Sequence, residues 1–221
     1  MGNELWRAKV IPAPFVLPKL EPGKEHDRVL SLDEEEALLD AALRDSNSYV
    51  WLFIKMGLLT SMRHAEILSG RFDAIDFERH RLKSRIKGGW EHNQPLSADL
   101  IKVLKHEMEM ADDPEGWIFP SSKSKSGHYE SMKKAFKRCV VRAGMEPKEV
   151  TPHTMRHTAI TNFADTEANA RVLQKFSGHR SVKQALKYVH ARDERVDLAV
   201  EKMQRVKTKP VQIAQNKARR S

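Results

Sequence analysis

Residues 72–96 narrow the fold more than any other stretch, because the residue pattern changes period there. Polar and apolar residues alternate loosely through Ala74-Ile75-Asp76-Phe77 and again through Arg81-Leu82-Lys83-Ser84-Arg85-Ile86. A two-residue period places successive side chains on opposite faces of a strand. Gly88-Gly89 follows as a turn signal, and Gln94-Pro95-Leu96 reads as a short returning strand. The expectation is a small antiparallel sheet with Lys87 at its last hairpin. The chain reads as helix on both sides of this segment, so the expected class is mainly α with one small antiparallel β-sheet (α+β).

The helices are marked by their ends. Ser31-Leu32-Asp33-Glu34 has the spacing of a capping box, and the helix beneath it continues through Leu38, Leu39 and Leu43. A second, apolar helix is expected from about Tyr49 to Leu59. A third holds Arg63, Glu66 and Ile67 and stops near Gly70. Ser97 is placed to cap a helix running to about Met110. Residues 112–127 are polar, with Trp117-Ile118-Phe119 expected to pin the loop to the core. Another helix is expected from about Tyr129 to Ala143, ended by Gly144. Thr151-Pro152 leads into a helix that carries His153 and continues through Ile160 and Phe163. Short helices follow, with Val172, Leu173 and Phe176, then Val182, Leu186 and Val189, expected to face inward. A last helix spans about Glu194 to Met203.

Residues 1–28 carry Pro12, Pro14, Pro18 and Pro22 and read as an extended arm or linker, since proline fixes φ and removes a donor. Residues 29–204 form the expected folded domain, and 205–221 a basic tail with Arg205, Lys207, Lys209, Lys217, Arg219 and Arg220. The formal net charge of +9 over 221 residues favours a polyanionic partner, nucleic acid before membrane. Cys139 is the single cysteine, which excludes an internal disulfide and fits a reducing compartment. Glu4, Arg7 and Lys9 interrupt any apolar leader, and no run approaches the ~20 apolar residues of a membrane span. The expected location is cytoplasmic, nucleoid-associated, without a membrane partner.

Which chemistry fits these residues? His153 and His157 lie four apart on a helix, a zinc-ligand spacing. Thr154 stands where a zinc protease needs glutamate, and Arg156 would set a cation beside any metal. The acids Asp33, Glu34, Glu35, Asp112 and Asp113 fall on a cap and in a loop, which is no two-metal cluster. No NTPase-type glycine loop is present. Neither metal nor other cofactor is expected. Metal-free phosphoryl transfer needs cations on two phosphate oxygens, a proton for the leaving oxygen and a nucleophile. Arg63, Lys87, His153, Arg156, His179 and Tyr188 supply these group types. Taken singly, each also has a plain structural reading. Arg63 can pair with Glu66 on a helix face, Lys87 can be a hairpin charge, His153 an N-cap and His179 a packed residue at a helix start.

The order of these groups resembles a known pattern. Thr60-Ser61-Met62-Arg63-His64-Ala65-Glu66 matches T-G-x-R-x-x-E, and Lys87 precedes a "VPL"-like strand at Gln94-Pro95-Leu96-Ser97. His153 to His157 matches H-x-x-R-H. Ser177-Gly178-His179 is followed nine residues later by Tyr188, with His190 behind it. Trp117-Ile118-Phe119-Pro120 resembles the segment after the long helix. Together these boxes resemble the catalytic domain of the tyrosine recombinases, the phage integrase family, over residues 30–203 or so.

That resemblance implies a site-specific DNA recombinase or integrase of a prophage or mobile element. Tyr188 would attack a DNA phosphate and form a 3′-phosphotyrosyl link, without ATP or metal. Arg63 and Arg156 would hold the non-bridging oxygens, Lys87 would protonate the leaving 5′-oxygen, His153 would assist at the tyrosine and His179 would hydrogen-bond the phosphate. Glu66 and His157 would support them. The implied partners are double-stranded DNA, further copies of the chain in a tetrameric synapse, and accessory DNA-bending proteins. A type IB topoisomerase-like nicking-closing enzyme and a non-catalytic DNA-binding module of the same fold are the alternatives. The chain departs from the pattern at Ser61 (usually glycine), Ser177 (usually leucine, so an apolar contact is lost) and Ala185 (often threonine). It also carries only the proline-rich arm where the family has an N-terminal helical domain.

Overall fold

Ser31 opens the first helix for a local reason. Its Oγ accepts the Glu34 N–H, and the Glu34 carboxylate accepts the Ser31 N–H. The computed structural model describes residues 28–86, 90–166 and 169–189. Helix α1 (Leu32–Leu43) buries Leu38, Ala41 and Ala42. Helix α2 (Val50–Leu59) is apolar nearly all round and buries seven of its ten residues, as expected for a helix at the centre of a core. Its neighbours include α1 and, on another side, α6 (Pro152–Thr166). Close approach to α6 is made at Gly57, where a Cβ would stand 2.7 Å from Met155 Cε. That contact sets Arg156 beside the turn that leaves α2.

The turn leads through Arg63 into α3 (His64–Leu68), and a 3₁₀ turn at Phe72–Ala74 feeds the sheet. Strands β1 (Ile75–Asp76), β2 (Arg81–Ile86) and β3 (Trp90–Pro95) are antiparallel in the order β1-β2-β3. The returning strand is longer than Gln94-Pro95-Leu96, because β3 pairs with β2 along its whole length, from Ile86 opposite Trp90 to Arg81 opposite Pro95. Leu82 faces Gln94 in this register. Lys87, Gly88 and Gly89 lie outside the described residues.

Ser97 Oγ accepts the Leu100 N–H and starts α4 (Ala98–Glu109). Ile118 and Phe119 are buried and do pin the following loop, with Phe119 edge-on to Phe53 and Tyr49. Helix α5 (Lys133–Arg142) starts four residues later than the pattern predicts. Tyr129 is held extended by its N–H donating to the Phe119 carbonyl, and the Met132 N–H donates to His64 Nε2. Both partners are remote in sequence, so local propensity does not reveal them.

Helix α6 begins at Pro152, where the missing N–H is harmless. It is followed by α7 (Ala170–Ser177) and α8 (Val182–Leu186). These three share a second, small core of Ile160, Ala164, Leu173, Phe176 and Ala185, with Phe163 stacked on Phe176 at 4.1 Å. Val172 (40% exposed) and Leu186 (50%) are not on its inward face, contrary to expectation. In α7 the inward pair is Leu173 and Phe176, and in the five-residue α8 it is Ala185. The proline-rich arm, the helix expected at 194–203 and the basic tail lie outside the described residues. Among the described residues no helix is long and apolar enough to cross a membrane.

Candidate active site

The first box is a folded unit. The Thr60 hydroxyl donates to the Met56 carbonyl (2.7 Å) and accepts the Met62 N–H (3.3 Å), which turns the chain sharply out of α2. Arg63 then stands at the N-terminal end of α3 and is gripped twice by Glu66. One carboxylate oxygen accepts its backbone N–H and the other its Nη1, both at 2.8 Å. The Arg63 side chain is 44% exposed while that of Glu66 is 9% exposed, so the acid anchors an arginine whose head stays open.

Arg156 is the opposite case, 4% exposed on α6. Its Nη1 donates to the Ser61 carbonyl and its Nη2 to the Ser177 carbonyl at 2.9 Å. The second carbonyl belongs to the last turn of α7, where unpaired carbonyls favour a cation. Burial first, and the nearby Arg63 second, lower the Arg156 pKa to about 10, with Glu66 and Tyr188 pulling it partly back. A guanidinium buried at a desolvation cost, near enough to Arg63 to feel its charge, suits a site for an anion.

Three imidazoles and the phenol complete the group. The His153 and His157 rings are edge-on at 4.7 Å, and the His157 and Tyr188 rings lie 5.5 Å apart. The Tyr188 hydroxyl is 3.3 Å from His157 Nδ1. The His179 ring stacks near-parallel on Tyr188 at 5.8 Å. Gly178, in the left-handed region at φ 62°, ends α7 and redirects the chain into His179. Burial holds the His179 pKa down to about 4, helped by Arg156, Arg63, His157 and Lys187. The His153 pKa is also lowered, by partial desolvation and then by His157, Arg156 and Arg63, although the residue is exposed by area. Arg63, Glu66, His153, Arg156, His157, His179 and Tyr188 therefore form one constellation, drawn from α3, α6 and the chain around α8. Lys87 and His190 fall outside the described residues.

Sequence reasoning missed four neighbours. Ser61, Gln94 and Ser177 are buried polar residues beneath the arginine. Among the described residues, the buried Nε2 of His92 on β3 meets no partner at good hydrogen-bonding geometry, although the Phe176 carbonyl and Gln94 lie near the ring. Desolvation lowers the His92 pKa, against the pull of the Phe176 carbonyl, Gln94 and Glu66. The only hint in the sequence is Gln94, an amide in the first position of an otherwise apolar strand motif. The serine at 177 does not leave a gap: its Oγ is 2.9 Å from His179 Nδ1. Ala185 is fully buried and its carbonyl accepts the Tyr188 N–H at 3.1 Å. A cleft of about 470 Å³ opens beside His179, lined by Glu91, His92, Gln174, Lys175, Gly178 and Arg180 as well.

The sequence profile of the phage integrase family matches residues 28–195, which include every residue of this constellation. The chain belongs to the phage integrase family. Among its relatives in that family, tyrosine recombinase XerC of Corynebacterium glutamicum is 26% identical over 187 residues, covering 83% of this chain and 56% of the relative. Tyrosine recombinase XerD of Agrobacterium fabrum is 27% identical over 215 residues, covering 87% and 65%. The chain thus spans less than two thirds of the length of these relatives. Solved structures agree on the fold. The catalytic domain of bacteriophage HP1 integrase superposes with a TM-score of 0.61 at 19% identity, covering 79% of this chain and 94% of that domain. The Tn1549 transposon integrase, solved with circular intermediate DNA, gives 0.65 at 20% identity, covering 91% and 76%. The mainly helical fold with its three-stranded antiparallel sheet is the fold of these integrase domains.

Proposed function

We propose that this chain cuts and rejoins double-stranded DNA as a site-specific recombinase or integrase. Residues 29–204 would be the catalytic domain, 1–28 a connecting arm and 205–221 a basic tail. The carrying observation is the Tyr188 hydroxyl resting on His157, beside two arginines of which the buried one donates only to carbonyls among its described hydrogen bonds. Arg63 and Arg156 take the non-bridging oxygens of one phosphate, whose charge relieves their mutual repulsion. Tyr188 gives up its proton toward the His157–His153 pair, and its oxygen bonds to phosphorus. The P–O5′ bond breaks as Lys87 protonates the leaving oxygen, while His179 donates to the phosphate. The 3′-phosphotyrosyl link keeps the phosphodiester's energy, so a 5′-hydroxyl from another strand reverses the step without ATP. Exchange between two duplexes requires several copies on DNA, a tetrameric synapse, with DNA-bending proteins as accessories. The setting is the DNA-bearing cytoplasm, a compartment that keeps Cys139 reduced.

A nicked duplex whose short 5′-hydroxyl fragment diffuses away traps the covalent adduct. Wild-type chain accumulates it and Tyr188→Phe does not, with DNA affinity retained. An adduct that survives the substitution would contradict the assignment. Exchange between paired sites, rather than relaxation of a supercoiled plasmid lacking them, separates a recombinase from a nicking-closing enzyme.

A further inference from the structure

Three polar side chains lie buried beneath the constellation. Ser61 (1% exposed) comes from the turn after α2, Gln94 (0%) from β3 and Ser177 (1%) from the end of α7. All three positions depart from the quoted family boxes, with serine for glycine, glutamine for the valine of the VPL-like strand, and serine for leucine. They are far apart in sequence and meet around Arg156. Ser61 Oγ lies 2.8 Å from Gln94 Oε1 and also contacts the Phe176 carbonyl. Gln94 Nε2 donates to the Pro95 carbonyl at 3.3 Å, so the amide is held at both ends. The backbone carbonyls of Ser61 and Ser177 are the two that hold the Arg156 fork. Burying such groups is unfavourable unless they are paired, and here the pairing gives direction that an apolar filling cannot.

We propose that Ser61, Gln94 and Ser177 are positioning residues for Arg156 and His179. Ser61, clamped between Gln94 and the end of α7, fixes the carbonyl that orients the guanidinium. In this arrangement the Ser177 hydroxyl gives its proton to His179 Nδ1, 2.9 Å away, in preference to the Gln174 carbonyl at 3.4 Å. A neutral His179 that accepts at Nδ1 must carry its proton on Nε2, which makes that nitrogen the donor for a phosphate oxygen. The burial that disfavours imidazolium supports the neutral form. The inference rests on the reading of Arg156 and His179 as phosphate-holding groups.

The test uses the full chain, the nicked substrate in single turnover, and DNA affinity measured in parallel. Ser177→Ala is expected to slow cleavage about 10- to 100-fold with affinity nearly unchanged, the loss typical of a small misplacement. Nitrogen-15 spectra of the wild-type chain are expected to show His179 protonated at Nε2, and a tautomer mixture in Ser177→Ala. Ser61→Gly is expected to slow cleavage, and Ser61→Gly with Gln94→Val to recover to within about threefold of wild type, because both halves of the buried pair are then removed. An unchanged rate in Ser177→Ala, an Nδ1–H tautomer in wild type, or losses at 61 and 94 that simply multiply would overturn the inference. If wild-type chain forms an adduct that Tyr188→Phe loses, such results sink the positioning network alone. If wild type forms none, the functional reading falls with it.

Discussion

Arg156 rises from α6, a fifteen-residue helix packed on the central α2, and is buried to 4% exposure with two carbonyls on its guanidinium. Tyr188 follows α8, a helix of five residues whose sole buried side chain is Ala185. The first region belongs to the large core around Phe53, Phe119 and Leu100; the second hangs on five buried residues. The part proposed to bind charge is built rigid, because a preorganised cation needs no rearrangement as charge develops. The part proposed to carry a covalent link is held by little apolar area, and lightly packed elements open at low free energy. Arg63 lies between these limits, open to solvent but tied by Glu66.

That contrast predicts a graded set of losses. Arg156→Ala should lower single-turnover cleavage by about a thousandfold, the scale of losing an electrostatic stabiliser. It should also destabilise the fold by about 1–3 kcal/mol, since the Ser61 and Ser177 carbonyls lose a buried donor. Arg63→Ala should cut cleavage comparably but shift chemical denaturation by less than about 1 kcal/mol, because its ion pair is exposed. Equal stability losses at the two arginines would break the comparison.

Packing variants probe the same difference with smaller effects. Phe53→Ala should lower global stability by about 3–5 kcal/mol in denaturant titration. Phe176→Ala should instead raise amide exchange mainly in α7 and α8, leaving protection in α2 nearly intact. Uniform loss of protection across both regions would show that the two cores are one cooperative unit.

A pH dependence tests the buried imidazole beside Arg156. His179 has a pKa near 4 in the fold against an ordinary value of 6.5. Between those values the unfolded chain binds a proton that the folded chain does not, so stability is fully present above about pH 6.5 and falls as pH drops toward 4. His64, His92 and His153 are shifted in the same direction and add to the slope. Tm should therefore decline from pH 7 to pH 5, and His179→Gln should flatten that decline. A Tm independent of pH over this interval would contradict the buried, neutral imidazole.

Features set within a few residues of themselves were legible in the sequence. The caps at Ser31 and Ser97, the change of period at 72–96 and the four boxes are of this kind. The late start of α5 was not, because His64, 68 positions away, takes the Met132 N–H. Nor were the outward-facing Val172 and Leu186, since helices of eight and five residues are too short for period to fix an inward face. The boxes singled out Arg63, Arg156, His179 and Tyr188, which the fold brings together, yet Ser61 and Ser177 read there as mere departures from a pattern. Ser61 pairs with Gln94 and Ser177 with His179, contacts that only the folded chain makes.

The chain has three tyrosines. Tyr49 packs between Phe119 and Tyr129, and the Tyr129 hydroxyl lies 3.4 Å from Asn47 Nδ2. Only Tyr188 meets the histidines beside Arg156. Proteolysis of the trapped protein–DNA adduct followed by mass mapping of the DNA-linked peptide reads the nucleophile directly. A nucleotide joined to Tyr188 through a 3′-phosphate is the predicted result. Attachment at Tyr49, Tyr129 or any other residue, or a 5′-linkage, would contradict it.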